Sequence, residues 1–207
     1  MAKDSQNCGN CLYFAHVRVL PSHQIHHRSR KWFHEIKYDG YRLRVERNGD
    51  RVRLITKGGF DWSKRYPWIV EGALKNRQKH FVIDGEAVIL GVDGYSDFHA
   101  LHSGKHNDEV QLLAFDVMAM DGDDLRDLPL SMRKANLARL LARRPDGIFL
   151  SDFEQAEIGP DLFWAACNIG LEGLVSKRRD RPYRAGRSPN WVNEPKASGD
   201  RKGQGVI

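Results

Sequence analysis

From Trp32 onward the chain alternates apolar and polar side chains with the period of strands. Trp32, Phe33 and Ile36 mark a first short strand. Leu43 and Val45 alternate with charged residues, Asn48-Gly49 signals a hairpin turn, and Val52, Leu54 and Thr56 alternate on the return. Lys57-Gly58-Gly59 then breaks the pattern. Residues 67–74 place Ile69, Val70, Ala73 and Leu74 at helical spacing. Phe81 to Ile83 and Ala87 to Leu90 read as two buried strands on either side of Asp84-Gly85-Glu86, and residues 111–120 as another apolar strand. Ser131 is placed to cap a helix running to about Arg144, with Leu137, Leu140 and Leu141 inward and basic residues in its last turn. A short strand follows at 148–150, a helix at 161–169 ending on Gly170, and a last strand at Leu174-Val175-Ser176. Strands in hairpins with a few helices between them predict an α+β domain of mainly antiparallel sheets with flanking helices.

The segments around this domain differ from it. Residues 1–31 hold four of the nine histidines and two of the three cysteines and have no clear period, so they read as an irregular leader. Residues 197–207, rich in glycine and charge, read as a flexible basic tail. At 207 residues the chain has room for one domain of ordinary composition, placed at 32–196. No apolar run is long enough to span a bilayer, and three cysteines make no disulfide framework, which points to a cytoplasmic, membrane-free setting. The net charge is +6. From Lys177 onward nine basic residues face three acidic ones, so that stretch carries the whole excess. Such a stretch suits the phosphates of a nucleotide or a nucleic acid, or is simply a solvated basic tail.

Chemistry concentrates at Lys37-Tyr38-Asp39-Gly40-Tyr41-Arg42. Here an amine sits at the end of a strand, an Asp-Gly bend follows, and an arginine opens the next strand. Such an amine can attack a phosphorus or carbonyl centre; the bland reading is a surface Lys and Arg flanking a turn. Four further segments follow in order: Asp84-Gly85-Glu86, Phe115-Asp116-Val117, Glu172-Gly173-Leu174-Val175-Ser176-Lys177 and Ser188-Pro189-Asn190-Trp191-Val192. Together these resemble the motifs of the covalent nucleotidyltransferases, the ATP-dependent DNA ligases, RNA ligases and capping enzymes. The wording from His34 to Arg42 and from Pro182 to Ser188 is most similar to the ligase domain of bacterial end-joining ATP-dependent DNA ligases. The resemblance covers about residues 32 to 192.

The resemblance implies an adenylation domain of the covalent nucleotidyltransferase (ATP-grasp-like) fold. In it Lys37 attacks the α-phosphorus of ATP to give lysyl-AMP. A free lysine, with a pKa near ~10.4, is protonated at neutral pH, and burial or nearby cations make such an amine competent. By the same resemblance Arg42, Lys57 and Lys177 surround the electron-rich transition state. Glu86 and Glu172 hold Mg²⁺ (or Mn²⁺), a hard cation that takes oxygen ligands. Phe115 stacks on adenine, Glu35 reads the adenine edge, and Ile36 lies in the nucleotide site. DNA, a nicked or broken duplex, is the implied partner, together with end-joining proteins and a separate OB-fold or primase-type polypeptide. The implied location is the bacterial cytoplasm, at the nucleoid.

Two departures qualify this expectation. The last motif of the family usually runs W-[VIL]-K-x-K, but here Asn193 and Pro195 stand at the lysine positions, and only a one-residue shift brings Lys196 into play. Pro195 also cannot donate within a central strand. In addition, only eleven residues follow Lys196, too few for the OB-fold domain that family ligases carry next, so that domain is expected to be absent. The sequence therefore leaves a second reading open, a catalytically impaired nucleotide- or DNA-binding remnant, and a third, RNA-ligase or capping chemistry. Finally, Cys8, Cys11, His23 and His27 approach zinc-finger spacing. The gap between Cys11 and His23 is one residue short, and Pro21 interrupts the helix such a finger needs, so a leader without metal is the favoured expectation.

Overall fold

The computed structural model describes residues 30–143, 146–155, 173–186 and 188–195. The expected leader through residue 29, the helix at 161–169 and the basic tail lie outside the described residues, as do Cys8, Cys11, His23, His27, Glu172 and Lys196.

The strands are β1 (Trp32–Ile36), β2 (Tyr41–Asn48), β3 (Arg51–Thr56), β4 (His80–Val88), β5 (Gln111–Met120), β6 (Asp123–Asp124), β7 (Ile148–Leu150), β8 (Phe153–Glu154), β9 (Gly173–Arg178) and β10 (Trp191–Pro195). The helices are α1 (Pro67–Lys75), α2 (Phe98–Ser103) and α3 (Leu130–Leu140). The strands form two sheets, one in the order β10-β9-β1-β8 and one in the order β3-β2-β4-β5-β6 with β7 also on β5. Every pairing is antiparallel except β5 with β7. The α+β expectation therefore holds.

The core lies on one face of the larger sheet. Leu43, Val45, Leu54, Ile83, Leu112 and Val117 meet Ile69 and Ala73 of α1 and Leu137 of α3 there, all fully buried. Alternation along β2 and β3 sends these residues inward and the intervening charges out. Arg47 ties α1 in place: its Nη1 donates to the carbonyls of Ala73, Asn76 and Gln78 at 2.6, 2.7 and 3.1 Å, satisfying acceptors that the helix end leaves open.

Two local expectations are corrected, in β4 and in α3. The segment from Phe81 to Val88 is one continuous strand, not two flanking a turn. Its glycine is absorbed by a register shift against β5, where Asp84 pairs with Asp116 but Gly85 pairs with Ala114. Helix α3 begins after Pro129, not on a Ser131 cap. Its first N–H groups are satisfied from elsewhere in the chain, Leu130 donating to the Arg181 carbonyl and Ser131 to that of Arg179. The helix ends at Leu140, short of Arg144. Pro195 does not stop β10 from pairing, because among the described residues β10 lies at the sheet edge, where a missing donor is tolerated.

Candidate active site

The Lys37–Arg42 segment is where the chain leaves one sheet and enters the other. Strand β1 belongs to the four-stranded sheet and β2 to the six-stranded one. Lys37 extends the first, its N–H donating to the Gly173 carbonyl at 3.0 Å. The bend is fixed by Asp39, whose N–H donates to Ser96 Oγ at 3.1 Å, and by Gly40. A side chain at Gly40 would collide with the Ala87 carbonyl oxygen, so this crossing runs against β4 too closely for any other residue.

A cleft of about 710 Å³ opens between the sheets, within the usual range for a small-molecule site. Alternate residues of the smaller sheet line one wall. Cross-strand neighbours share a face, and the register joins Phe33, Lys177 and Trp191, then Glu35, Val175 and Asn193. All of these except Phe33 line the cleft, with Lys37 next along the same strand. The opposite wall carries Arg42, Glu86, Leu113 and Phe115. Phe115 follows Leu113 by two residues on the cleft face of β5, and it is the extra residue of the bulge opposite Asp84 and Gly85. At Gly85, opposite the bulge, an added Cβ would lie 2.7 Å from the Leu113 carbonyl oxygen, so β4 and β5 approach closely there.

Phe115 and Trp191 stand edge to face, 6.2 Å apart, and cations cover both rings. Lys177 Nζ lies 4.0 Å from the Phe115 centroid and 4.4 Å from that of Trp191, and the Arg42 guanidinium lies 5.6 and 5.4 Å from the same rings. Arg42 is held by Asp84, donating from Nε at 3.0 Å and from Nη2 at 2.5 Å, and by the Tyr183 hydroxyl at 3.5 Å. Glu86, opposite Arg42 in the ladder, is pushed up to about 7. Burial is the main cause and Asp84 adds to it, outweighing the pull of Arg42 and Lys37.

Glu35 is 3% exposed, and each carboxylate oxygen meets a lysine: Oε2 the Nζ of Lys177 and Oε1 that of Lys134, both at 2.7 Å. Burial works against its charge, but Lys177 and Lys134 together hold the carboxyl below its ordinary range. Behind the cleft, Arg133 is fully buried and grips Asp116 with Nε at 2.8 Å and Nη2 at 3.0 Å, while Nη1 donates to the Leu128 and Arg181 carbonyls.

Of the residues expected from sequence, Lys37, Glu35, Ile36, Arg42, Glu86, Phe115 and Lys177 converge on this cleft. Lys57 does not; it is exposed in the turn after β3. Asn193 lines the cleft. Two buried residues around the site, Arg133 and Lys134, have no part in the sequence reading, and Asp84 figures there only within the Asp84-Gly85-Glu86 motif. Arg133 and Lys134 carried a signal: they occupy the i+3 and i+4 positions after Leu130, where the inward stripe of α3 calls for apolar residues. Among the described residues no three metal-ligating side chains cluster, and no helix is long and apolar enough to cross a membrane. Glu86, an oxygen donor raised by burial into the neutral range, suits a hard divalent cation.

Comparison with known proteins agrees with this geometry. A family model described as ATP dependent DNA ligase domain matches residues 17–193. The multifunctional non-homologous end joining protein LigD of Pseudomonas aeruginosa is 35% identical over 165 residues, 78% of this chain but 20% of that protein. The solved ligase domain of Mycobacterium tuberculosis LigD superposes with a TM-score of 0.69 at 30% identity, covering 79% of this chain and 54% of that one. A mycobacterial DNA ligase D solved with ATP and MES superposes with a TM-score of 0.68 at 31% identity, with the same coverage. The chain thus spans about a fifth of the LigD protein and about half of the solved ligase domains. With the fold, the cleft and the family match in agreement, the chain belongs to the ATP-dependent DNA ligase domain family.

Proposed function

We propose that this chain is the nucleotide-binding part of an ATP-dependent DNA ligase and that Lys37 is its AMP acceptor. The observation that carries the reading is the convergence, on one cleft, of an amine at the sheet crossing, two cations over two aromatic rings, and a partly buried carboxylate. The neutral Lys37 amine attacks the α-phosphorus of ATP. An N–P bond forms, the P–O bond to pyrophosphate breaks, and the amine proton passes to solvent. Phe115 offers its face to adenine. Lys177 and Arg42 stabilise the charge that develops on the phosphate oxygens. Glu86, with Glu172, would hold Mg²⁺ or Mn²⁺, which supplies charge neutralisation on the phosphates. The substrate that follows is a nicked or broken DNA duplex. Sealing it calls on other domains or partners, among them end-joining proteins and an OB-fold or primase-type polypeptide, in the bacterial cytoplasm at the nucleoid.

The test is intact-mass analysis after incubation with ATP and Mg²⁺. One added AMP, absent from Lys37→Ala, supports the reading; a GTP-only adduct transfers it to capping-type chemistry.

Asn193 favours a second reading. It lines the cleft at the position where W-x-K would place a lysine, so the site has one cation fewer than the family pattern. In that reading ATP binds but Lys37 stays unmodified, and Asn193→Lys restores the adduct.

A further inference from the structure

Lys134 is buried on α3 and does not line the cleft. Its ammonium lies between the Glu35 carboxylate, 2.7 Å away, and the face of Phe153, 4.5 Å from the ring centroid. Glu35 therefore has a lysine on each oxygen, and only one of the two, Lys177, reaches the cleft. A buried carboxylate needs one counter-charge. A second buried ammonium adds a desolvation cost, so its presence calls for a role beyond neutralising Glu35.

We propose that Lys134 is a positioning residue that keeps the Glu35–Lys177 unit cationic, so that Lys177 offers a full positive charge to the phosphates of a nucleotide. The arithmetic of the cluster is two ammonium groups against one carboxylate, a net charge of +1. Without Lys134, both carboxylate oxygens turn to Lys177, the unit becomes neutral, and its ammonium is drawn back toward β1. With Lys134 present, Lys177 keeps one oxygen of Glu35 and leans on the rings of Phe115 and Trp191, at 4.0 and 4.4 Å, facing the cavity. The lowered affinity of Lys134 for its proton, caused by burial and by Lys177 against the pull of Glu35, fits two cations crowded on one anion. The inference rests on the proposed nucleotide site, and it adds that phosphate affinity is set from behind the wall, by a residue that never touches the ligand.

The experiment is calorimetric binding of two probes to the full chain. One is adenosine. The other is an ATP analogue with a methylene group between the α- and β-phosphorus, which binds without transferring AMP. Lys134→Met is expected to weaken the analogue about tenfold, the scale of one partly buried charge, and to leave adenosine within about twofold. Lys134→Arg is expected to restore analogue binding, and the deficit of Lys134→Met is expected to shrink as salt rises. Lys134→Gln, which keeps a donor to Glu35 without charge, serves if the Met variant fails to fold. Equal weakening of adenosine and analogue means a structural role and overturns the inference. So does unchanged analogue binding, or a folded Lys134→Arg that restores nothing. A wild-type chain that binds neither probe overturns the nucleotide site itself and this inference with it.

Discussion

Glu35→Gln tests the electrostatics of the cleft wall. The carboxylate is 3% exposed and lies 2.7 Å from each of two lysines that are themselves 2% and 3% exposed. The substitution keeps the shape and removes the one anion of the cluster. Two ammonium groups are then left buried beside each other. Removing one partner of a buried ion pair costs about 3–5 kcal/mol. Lys134 can limit the loss by shedding its proton, since burial already lowers its proton affinity, so the lower end, about 3 kcal/mol, is expected. With a denaturant slope of about 2 kcal/mol/M, the urea midpoint falls by about 1.5 M at neutral pH. The pH dependence has a fixed sign. Glu35 titrates below its ordinary value of 4.5 in the folded chain, so its contribution is present above that value and disappears as pH falls through the folded-state titration. The gap between wild type and variant must therefore narrow in acid. Adding Lys134→Met to Glu35→Gln removes one of the stranded charges and should recover at least about 1 kcal/mol, since contacting residues do not behave additively. A loss below about 1 kcal/mol for Glu35→Gln, or a gap that widens in acid, refutes the reasoning.

Other outcomes follow from the same geometry. Arg133→Met strands the Asp116 carboxylate and frees two carbonyl acceptors, so it should cost about 3–5 kcal/mol in urea unfolding, whereas Arg126→Met, exposed on the surface, should leave the unfolding midpoint close to that of the wild type. Glu86 titrates near 7 in the folded chain against 4.5 as its ordinary value, so the fold favours its neutral form. Stability measured with chelator present should be highest below pH 4.5 as far as this group is concerned and fall by up to about 3 kcal/mol as pH rises through 7, and Glu86→Gln should flatten that trend. Gly85→Ala should lower stability by about 1–3 kcal/mol in thermal unfolding, because the added methyl meets the Leu113 carbonyl oxygen at 2.7 Å and Leu112 Cγ at 2.8 Å.

The sheets were legible because alternation is a local signal. Leu43 and Val45 on β2, and Leu54 on β3, announce one buried face, and Asn48-Gly49 announces the turn between them. The cleft wall was legible only as motifs: the sequence reading has no strand at β10, and Glu35, Lys177 and Asn193 share a face only through the register of β1, β9 and β10. Features that depend on pairing between distant segments were not legible. Phe115 reads as an ordinary core residue, because the face of β5 that it shares with Leu113 becomes a cleft wall only when the smaller sheet stands opposite it. The bulge between β4 and β5 hides the continuity of β4, which the glycine disguises as a turn. Ser131 looks like a cap because the carbonyls that replace it come from Arg179 and Arg181, far along the chain. Lys57 was drawn in by family likeness, yet the turn after β3 leaves it exposed and outside the cleft. Arg133 and Lys134 read as solvated charges by residue type; only their phase on α3 gives them away.

Whether the amine at the sheet crossing is the nucleophile is settled most directly by peptide-level mass spectrometry of the chain after incubation with ATP and Mg²⁺. One AMP located on Lys37, labile in acid as a phosphoramidate and absent from Lys37→Ala, is the predicted result. A modified lysine elsewhere, or an unmodified Lys37 in a chain that demonstrably binds ATP, contradicts it.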